Sequence, residues 1–416
     1  MSIYLRNALL WDGLGTEPAQ ADVAITDGRV RAVLPAGTTA DDDALVVDLD
    51  GAFVMPGLVD MHVHLVWSGG PDPAAVVAAA GEQTTTIRAF LNARAQLEAG
   101  ITTVRDLGSN WDIAVTIGGA VDRADLDGPT IVASGRTVIM TGGHDPFWGI
   151  FSDGQAGVVR AVRHQAMIGA GVIKLAATGG VYGRPEGEDI GRSELTYDEM
   201  AAAVVEAHRR GLRVAAHAVG RDGIRDAVAA GVDTVEHGNF LDEETAEDMA
   251  RRGTALCPTL AIYRTIARNP EGDIPTYASA KARTAVAGHQ ESFRMAQEAG
   301  LDIVAGTDAG SCRTHHPALV DELLLMHAYG MPTDAVLRAT TSAAGKVLGR
   351  QGTVGVVRPG SAADLLVLQG SPLADLEQLR SPLAVIRAGS PVRRGPGTWP
   401  KMRGRPSQNS DDTRRG

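Results

Sequence analysis

Cysteine, aromatic residues and positive charge are all scarce in this 416-residue sequence, and each shortage removes a class of function. Two cysteines, Cys257 and Cys312, cannot build a disulfide framework, so a reducing, cytoplasmic setting is expected. Aromatic residues make up only 4%, too few for base-stacking platforms. The formal charge is -11, and no concentrated basic face is available for nucleic acid or an anionic membrane. No run approaches the ~20 apolar residues of a membrane span. The opening MSIYLRNALLWDG lacks the basic start, apolar stretch and small-residue cleavage site of a secretory signal. What remains is an acidic protein acting on a small molecule, with a homo-oligomer left open.

Apolar residues are plentiful at 44%, and the abundance of Ala, Gly and Val suits close-packed parallel strands and helices. The chain is long for one average domain, and its length fits a barrel of roughly 250 residues with a smaller companion. Its first fifty residues read as short strands, at 2–10, 23–25, 30–34 and 45–49, with a turn at Asp27-Gly28. From Val54 the pattern becomes short β-branched runs alternating with Ala-, Glu- and Arg-rich helical stretches. Eight such runs fall at 58–64, 102–106, 130–134, 172–176, 213–217, 234–237, 255–258 and 302–307. Helices between them end in Gly100, Gly171, Gly211, Gly231, Gly253 and Gly300, each expected as a cap that tolerates positive φ. The expectation is therefore an α/β fold: a (β/α)8 TIM-like barrel over 55–348, with a small β-sandwich domain formed by 1–54 and 349–394. The tail, 395–416, has no apolar period and reads as disordered.

In such barrels catalytic groups sit at the C-terminal ends of the strands, and polar metal-ligand types end the strands here. The first run closes in Asp60-Met-His62-Val-His64, whose two histidines project to the same side of a strand. Lys174, one of only four lysines, sits inside the apolar run Gly-Val-Ile-Lys174-Leu-Ala-Ala, where an unpaired cation is costly. His217, His237 and Asp308 end three further runs. Imidazole and carboxylate are usual ligands of zinc-type ions, and this set leaves room for water. A single histidine at a strand end is ordinarily a hydrogen-bonded structural residue, and Asp308 alone could cap a turn. It is the set, at strand ends, that carries the metal reading. Asp60 and Asp106 read as structural, Glu236 as pointing outward or supporting a ligand, and Cys312 as a packed thiol.

The order and spacing of Pro56-Gly57-Leu58-Val59-Asp60-Met61-His62-Val63-His64, Lys174, His217, His237 and Asp308 resemble the amidohydrolase superfamily. Ile173-Lys-Leu-Ala-Ala-Thr-Gly-Gly and Met140-Thr-Gly-Gly-His144 are most similar to its Xaa-Pro dipeptidase, aryl-dipeptidase and imidazolonepropionase-like branch. Gly360-Ser-Ala-Ala-Asp364-Leu-Leu-Val-Leu is similar to that family's returning β segment. The resemblance implies two divalent ions, zinc for preference, bridged by a carbamate on Lys174. His62, His64, the carbamate and Asp308 would hold one ion, and the carbamate, His217 and His237 the other. Asp308 would take the proton of the attacking water and pass it to the leaving group, with His144 orienting a carbonyl or carboxylate.

His144, Tyr182, Arg184 and Arg313 are candidates for binding substrate, with His315 and His316 beside them. Ordinary surface-loop polarity is the alternative for these residues. Two places depart from the family pattern: Val219, where many relatives carry a polar or aromatic residue, and the loop Gly310-Ser-Cys-Arg-Thr-His-His-Pro. The activity expected is hydrolysis of a C–N amide bond in a dipeptide or N-acyl amino acid. A mononuclear deaminase, or a cyclic-amide, imidazolone or lactone hydrolase, is the alternative, and Lys174 speaks against the mononuclear form. A non-catalytic scaffold is disfavoured by the complete ligand set.

Overall fold

A computed structural model describes residues 2–41, 43–184 and 187–394, so the expectation for the tail lies outside the described residues. The chain opens with β1 (Ser2–Leu10), β2 (Ala19–Thr26), β3 (Arg29–Pro35), β4 (Leu45–Asp48) and β5 (Phe53–Pro56). Asp27 and Gly28 join β2 to β3 with φ of +50° and +73°. Positive φ at both central residues is what a two-residue hairpin loop requires, and Asp-Gly supplies it cheaply.

Parallel strands follow, each leading into a helix: β6 (Leu58–Val63), α1 (Pro73–Glu98), β7 (Ile101–Asp106), α2 (Ile113–Asp122) and β8 (Thr130–Ala133). Two short strands, β9 (Val138–Ile139) and β10 (Ile150–Phe151), precede α3 (Gly154–Ile168), β11 (Val172–Ala176) and α4 (Tyr197–Arg209). The alternation continues through β12 (Arg213–Ala218), α5 (Arg221–Ala230), β13 (Thr234–His237), α6 (Glu243–Arg252) and β14 (Ala255–Cys257). Five helices complete this part: α7 (Leu260–Arg268), α8 (Thr276–Glu298), α9 (Leu319–Ala328), α10 (Thr333–Ala339) and α11 (Ser342–Val347). The chain then returns as β15 (Leu365–Leu368), β16 (Ala384–Arg387) and β17 (Ser390–Arg394).

The parallel strands fall into two sheets, β6-β7-β8 and β10-β9-β11-β12-β13-β14. β6, β7 and β11 are buried at every position, as expected of strands covered on both faces. The eighth run, expected as a strand at 302–307, is not one. It makes a single parallel bridge, Ile303 to Leu256, and donates the Ala305 amide to the Ala339 carbonyl while its own carbonyl accepts from Met61. It then bends, because the Thr307 and Asp308 amides both turn to the His62 carbonyl, at 3.2 and 2.7 Å. Gly306 lets the chain pass close to its neighbours: a Cβ there would lie 2.4 Å from Cys257 Sγ and 2.8 Å from His62 Cβ. The glycine caps hold at Gly100, Gly211, Gly231, Gly253 and Gly300, all at positive φ, but not at Gly171. There α3 ends two residues earlier, on Gly169 at φ +95°.

Strands from both chain ends hydrogen-bond into one eight-stranded sheet, in the order β17-β16-β15-β5-β1-β2-β3 with β4 also on β1, where two opposed sheets were expected. The joining is local: β1 pairs with β4 along Ile3–Arg6 and with β5 at Leu9 and Leu10, so one edge serves two strands in turn. Leu5, Val23, Val47, Val54, Leu365 and Ile386 share a core of their own, separate from the larger one beneath the parallel strands. Among the described residues no helix is long and apolar enough to cross a membrane.

Candidate active site

His62 sits near the end of β6, His217 near the end of β12, and His237 ends β13. Neighbouring register places Ala176 opposite His217, and Ala218 opposite His237, so these side chains emerge at one end of the strands. His62, His64, Lys174, His217, His237 and Asp308 all line one cavity of about 40 Å³. That volume exceeds the ~10–15 Å³ needed by a single water. Ring centroids are 5.3 Å apart for His62 and His64, 5.1 Å for His62 and His237, and 4.7 Å for His217 and His237. Asp308 Oδ1 lies 3.3 Å from His64 Nε2 and 3.9 Å from His62 Nε2. His237 and Asp308 hold φ of +73° and +57°, a region side chains enter reluctantly. Strain of this kind gathers where function fixes a side chain's direction.

The electrostatics divide the cluster: burial opposes a charge on His64, yet Asp308 outweighs burial and raises it, whereas the other three imidazoles are lowered. Burial, with Lys174 nearby, lowers the His62 imidazole to about 4. His217 and His237 fall well below the ordinary value, through burial and then through neighbouring imidazoles. These three rings are therefore neutral at pH 7, with a lone pair to offer. Burial works against ionisation of Asp308, but the His64 hydrogen bond and His62 outweigh it and hold the carboxyl at about 2. Burial pushes the Lys174 amine down, and among the described residues it has no hydrogen-bond or ion-pair partner.

Supporting groups fix the ligand directions. Glu236, fully buried, accepts from His62 Nδ1 at 3.0 Å and from Arg105 Nη2 at 2.7 Å, while Arg105 Nε donates to the Met61 carbonyl at 2.7 Å. This settles the two readings of Glu236 in favour of support and leaves His62 Nε2 facing the cavity. His64 Nδ1 donates to the Gly108 carbonyl at 3.1 Å, and His237 Nδ1 lies 2.7 Å from Thr259 Oγ1. Asp60 accepts from Thr307 Oγ1 at 2.7 Å and Asp106 from the Leu65 amide at 2.8 Å, both as struts beneath the site. His217 Nε2 faces the Gly179 carbonyl at 3.2 Å. Geometry and donor chemistry fit a metal: ligand atoms of His62, His237 and Asp308 all lie within 4.8 Å of one another.

Of the expected substrate residues, His144 and Tyr182 line the cavity, whereas Arg184 and Arg313 do not. His144 stacks on His217 with centroids 4.1 Å apart and bonds Glu188 Oε1 through Nδ1 at 2.6 Å. Burial disfavours its charge, yet Asp145 and Glu188 outweigh burial and raise it to about 9. Tyr182 donates to Asp72, which caps α1. The Arg313 guanidinium is held outside the cavity by Glu271, at 2.6 Å, and by Asp273. Having two carboxylates of its own, it is not free to clamp a substrate's. His315 is exposed against the Ser68 carbonyl, and His316 is tied to Gln96 and the His64 carbonyl. Cys312 is a buried thiol, as expected.

Sequence reasoning missed the walls. Trp67 packs against Trp148, Phe147 and Tyr182, with Trp148 stacked on His64 at 4.8 Å. Ile262, Tyr263 and Ile266 of α7 form another wall. The repeat of Trp148 four residues after His144 was a usable signal; nothing in the sequence pointed to α7.

Buried imidazoles, one carboxylate and an unpartnered amine thus meet in one cavity beside the parallel strands. The chain belongs to the amidohydrolase family, whose pattern matches residues 53–392, and it is an enzyme that hydrolyses C–N amide bonds. It is 29% identical to ochratoxinase from Aspergillus niger over 381 residues, covering 83% of this chain and 77% of that one. The crystal structure of a Xaa-Pro dipeptidase with methionine bound in the active site superposes with a TM-score of 0.88, at 29% identity, over 95% of this chain and all of that one. A prolidase complexed with N-methylphosphonate-L-proline gives 0.87, also at 29% identity and the same coverage.

Proposed function

We propose that this chain is a binuclear metal-dependent amidohydrolase that cleaves the amide bond of a dipeptide or N-acyl amino acid. The observation that carries this is the convergence of His62, His64, Lys174, His217, His237 and Asp308 on one cavity. The parallel strands are read as a closed (β/α)8 barrel over 55–348, with 1–54 and 349–394 as its companion domain, and the buried free cysteines suit the cytoplasm.

His62, His64 and Asp308 would hold one ion, His217 and His237 the other, with Lys174 between them. Lys174 reacts with carbon dioxide, its nitrogen forming a C–N bond and losing a proton, which turns a buried amine into an anionic oxygen donor. Divalent ions bound there supply Lewis acidity, bringing a water's pKa toward roughly 7 and polarising the scissile carbonyl. Asp308 accepts the proton of the attacking water and returns it to the departing nitrogen. His144, charged and anchored by Glu188, orients the substrate carbonyl or carboxylate. The tryptophan wall keeps bulk water from the reacting bond.

The test is hydrolysis of a mixed library of dipeptides and N-acyl amino acids by protein reconstituted with zinc and bicarbonate, followed by mass spectrometry. Cleavage is expected, and the preferred C-terminal residue identifies what lies against the α7 wall. A metal-loaded protein that cleaves no member overturns the reading.

A further inference from the structure

We propose that Tyr263 is a further catalytic residue, whose hydroxyl donates a hydrogen bond to the scissile carbonyl oxygen as it takes on negative charge. The assignment rests on the amidohydrolase reading above and adds one group to the same site.

Tyr263 lies in the first turn of α7, directly after β14, and is 4% exposed. Its ring is wedged edge-on between two imidazoles. The His237 centroid is 5.4 Å away at 65°, and the His289 centroid 5.1 Å away at 79°. His289 is fixed in turn, its Nε2 donating to the His237 carbonyl at 3.1 Å. The turn that carries Tyr263 is anchored as well: Glu322 accepts from the amides of Leu260 and Ala261 at 2.8 and 2.7 Å. Tyr263 therefore has little freedom to swing.

Its oxygen has no hydrogen-bond partner among the described residues, although the side chain lines the cavity that holds Asp308 and His144. That oxygen is not among the fully buried unpartnered polar atoms, so it opens onto the cavity rather than into the protein interior. A rigid, unpaired O–H on the wall beside His237 finds its partner in an oxygen brought by the substrate. The carbonyl oxygen is the one whose charge grows as the carbon turns tetrahedral, and a donor set in advance serves that moment without reorganisation. The hydroxyl keeps its proton throughout, so no bond to it breaks.

The test uses Tyr263→Phe, which keeps the ring between the two histidines, reconstituted with zinc and bicarbonate. The phosphonamidate analogue of the fastest-cleaved dipeptide serves as a tetrahedral probe, and the product amino acid as a planar one. The expected result is a loss of about 10²-fold in phosphonamidate affinity by calorimetry and a similar loss in kcat. Product affinity, KM and metal content should stay within about 3-fold. Unchanged phosphonamidate affinity and kcat overturn the assignment, as does a loss confined to KM. If wild type cleaves nothing in the library, the dipeptide and N-acyl amino acid reading itself falls and takes this assignment with it.

Discussion

Asp308 occupies a left-handed backbone position, reaches the Nε2 atoms of both His62 and His64, and accepts from Ser311 Oγ at 2.8 Å. Asparagine tolerates that backbone as well as aspartate does, so Asp308→Asn isolates the charge and the proton. Circular dichroism should be unchanged while kcat falls by about 10²–10⁴-fold; near-normal turnover would remove Asp308 as the proton carrier. Glu236 acts one step back, setting the His62 ring from beneath while Arg105 sets Glu236. Glu236→Gln keeps the shape but weakens the pull on His62 Nδ1–H. Competition against a chromophoric chelator should show zinc affinity lowered by about 10–100-fold, and an unchanged value would reduce Glu236 to packing. The ligand candidates were legible in the sequence because the histidines and Asp308 close apolar runs and Lys174 interrupts one. Tyr263 and Trp67 were not, since an aromatic on a helix or loop looks like any core residue until the strands bring it beside a histidine. Arg313 misled for a related reason: Glu271 and Asp273, forty residues earlier, are its partners, and no local pattern links them.

At the scale of elements, the strands with continuous β-branched runs were the readable ones. The run at 302–307 departs from strand geometry because the Thr307 and Asp308 amides turn to the His62 carbonyl and Asp308 takes a positive φ. β9 and β10, two residues each, are too short to leave a periodic trace. The helices outside the strands are joined by polar contacts that sequence also hides. Glu206 on α4 accepts from Arg163 of α3 at 3.0 Å and from Arg210 at 2.8 Å. Those bonds hold its carboxyl at about 2, below the ordinary 4.5. A lowered carboxylate contributes stability that is complete above about pH 4.5 and is lost as pH falls toward 2. The melting temperature of Glu206→Gln should thus fall less steeply than that of wild type between pH 5 and pH 3. Parallel slopes would mean that the α3–α4 contact draws nothing from this cluster.

For the whole molecule, the division of labour follows from two separate cores. The parallel strands and the segments that follow them bring the ligand candidates to one cavity, while the eight-stranded sheet contributes none of them and ties the two ends of the chain together. Family and activity class were legible because the motif set spans the chain in order. The sheet's continuity was not, because it depends on β4 and β5 sharing one edge of β1. In the proposed site Lys174 stands between two ions. The direct measurement is metal content per chain, by inductively coupled plasma mass spectrometry, for wild type and Lys174→Ala after reconstitution with zinc and bicarbonate. Two ions per chain are predicted for wild type, and at most one for the variant, with partial recovery of binding and amide cleavage when short carboxylic acids are added. A variant that binds as much zinc as wild type would contradict it.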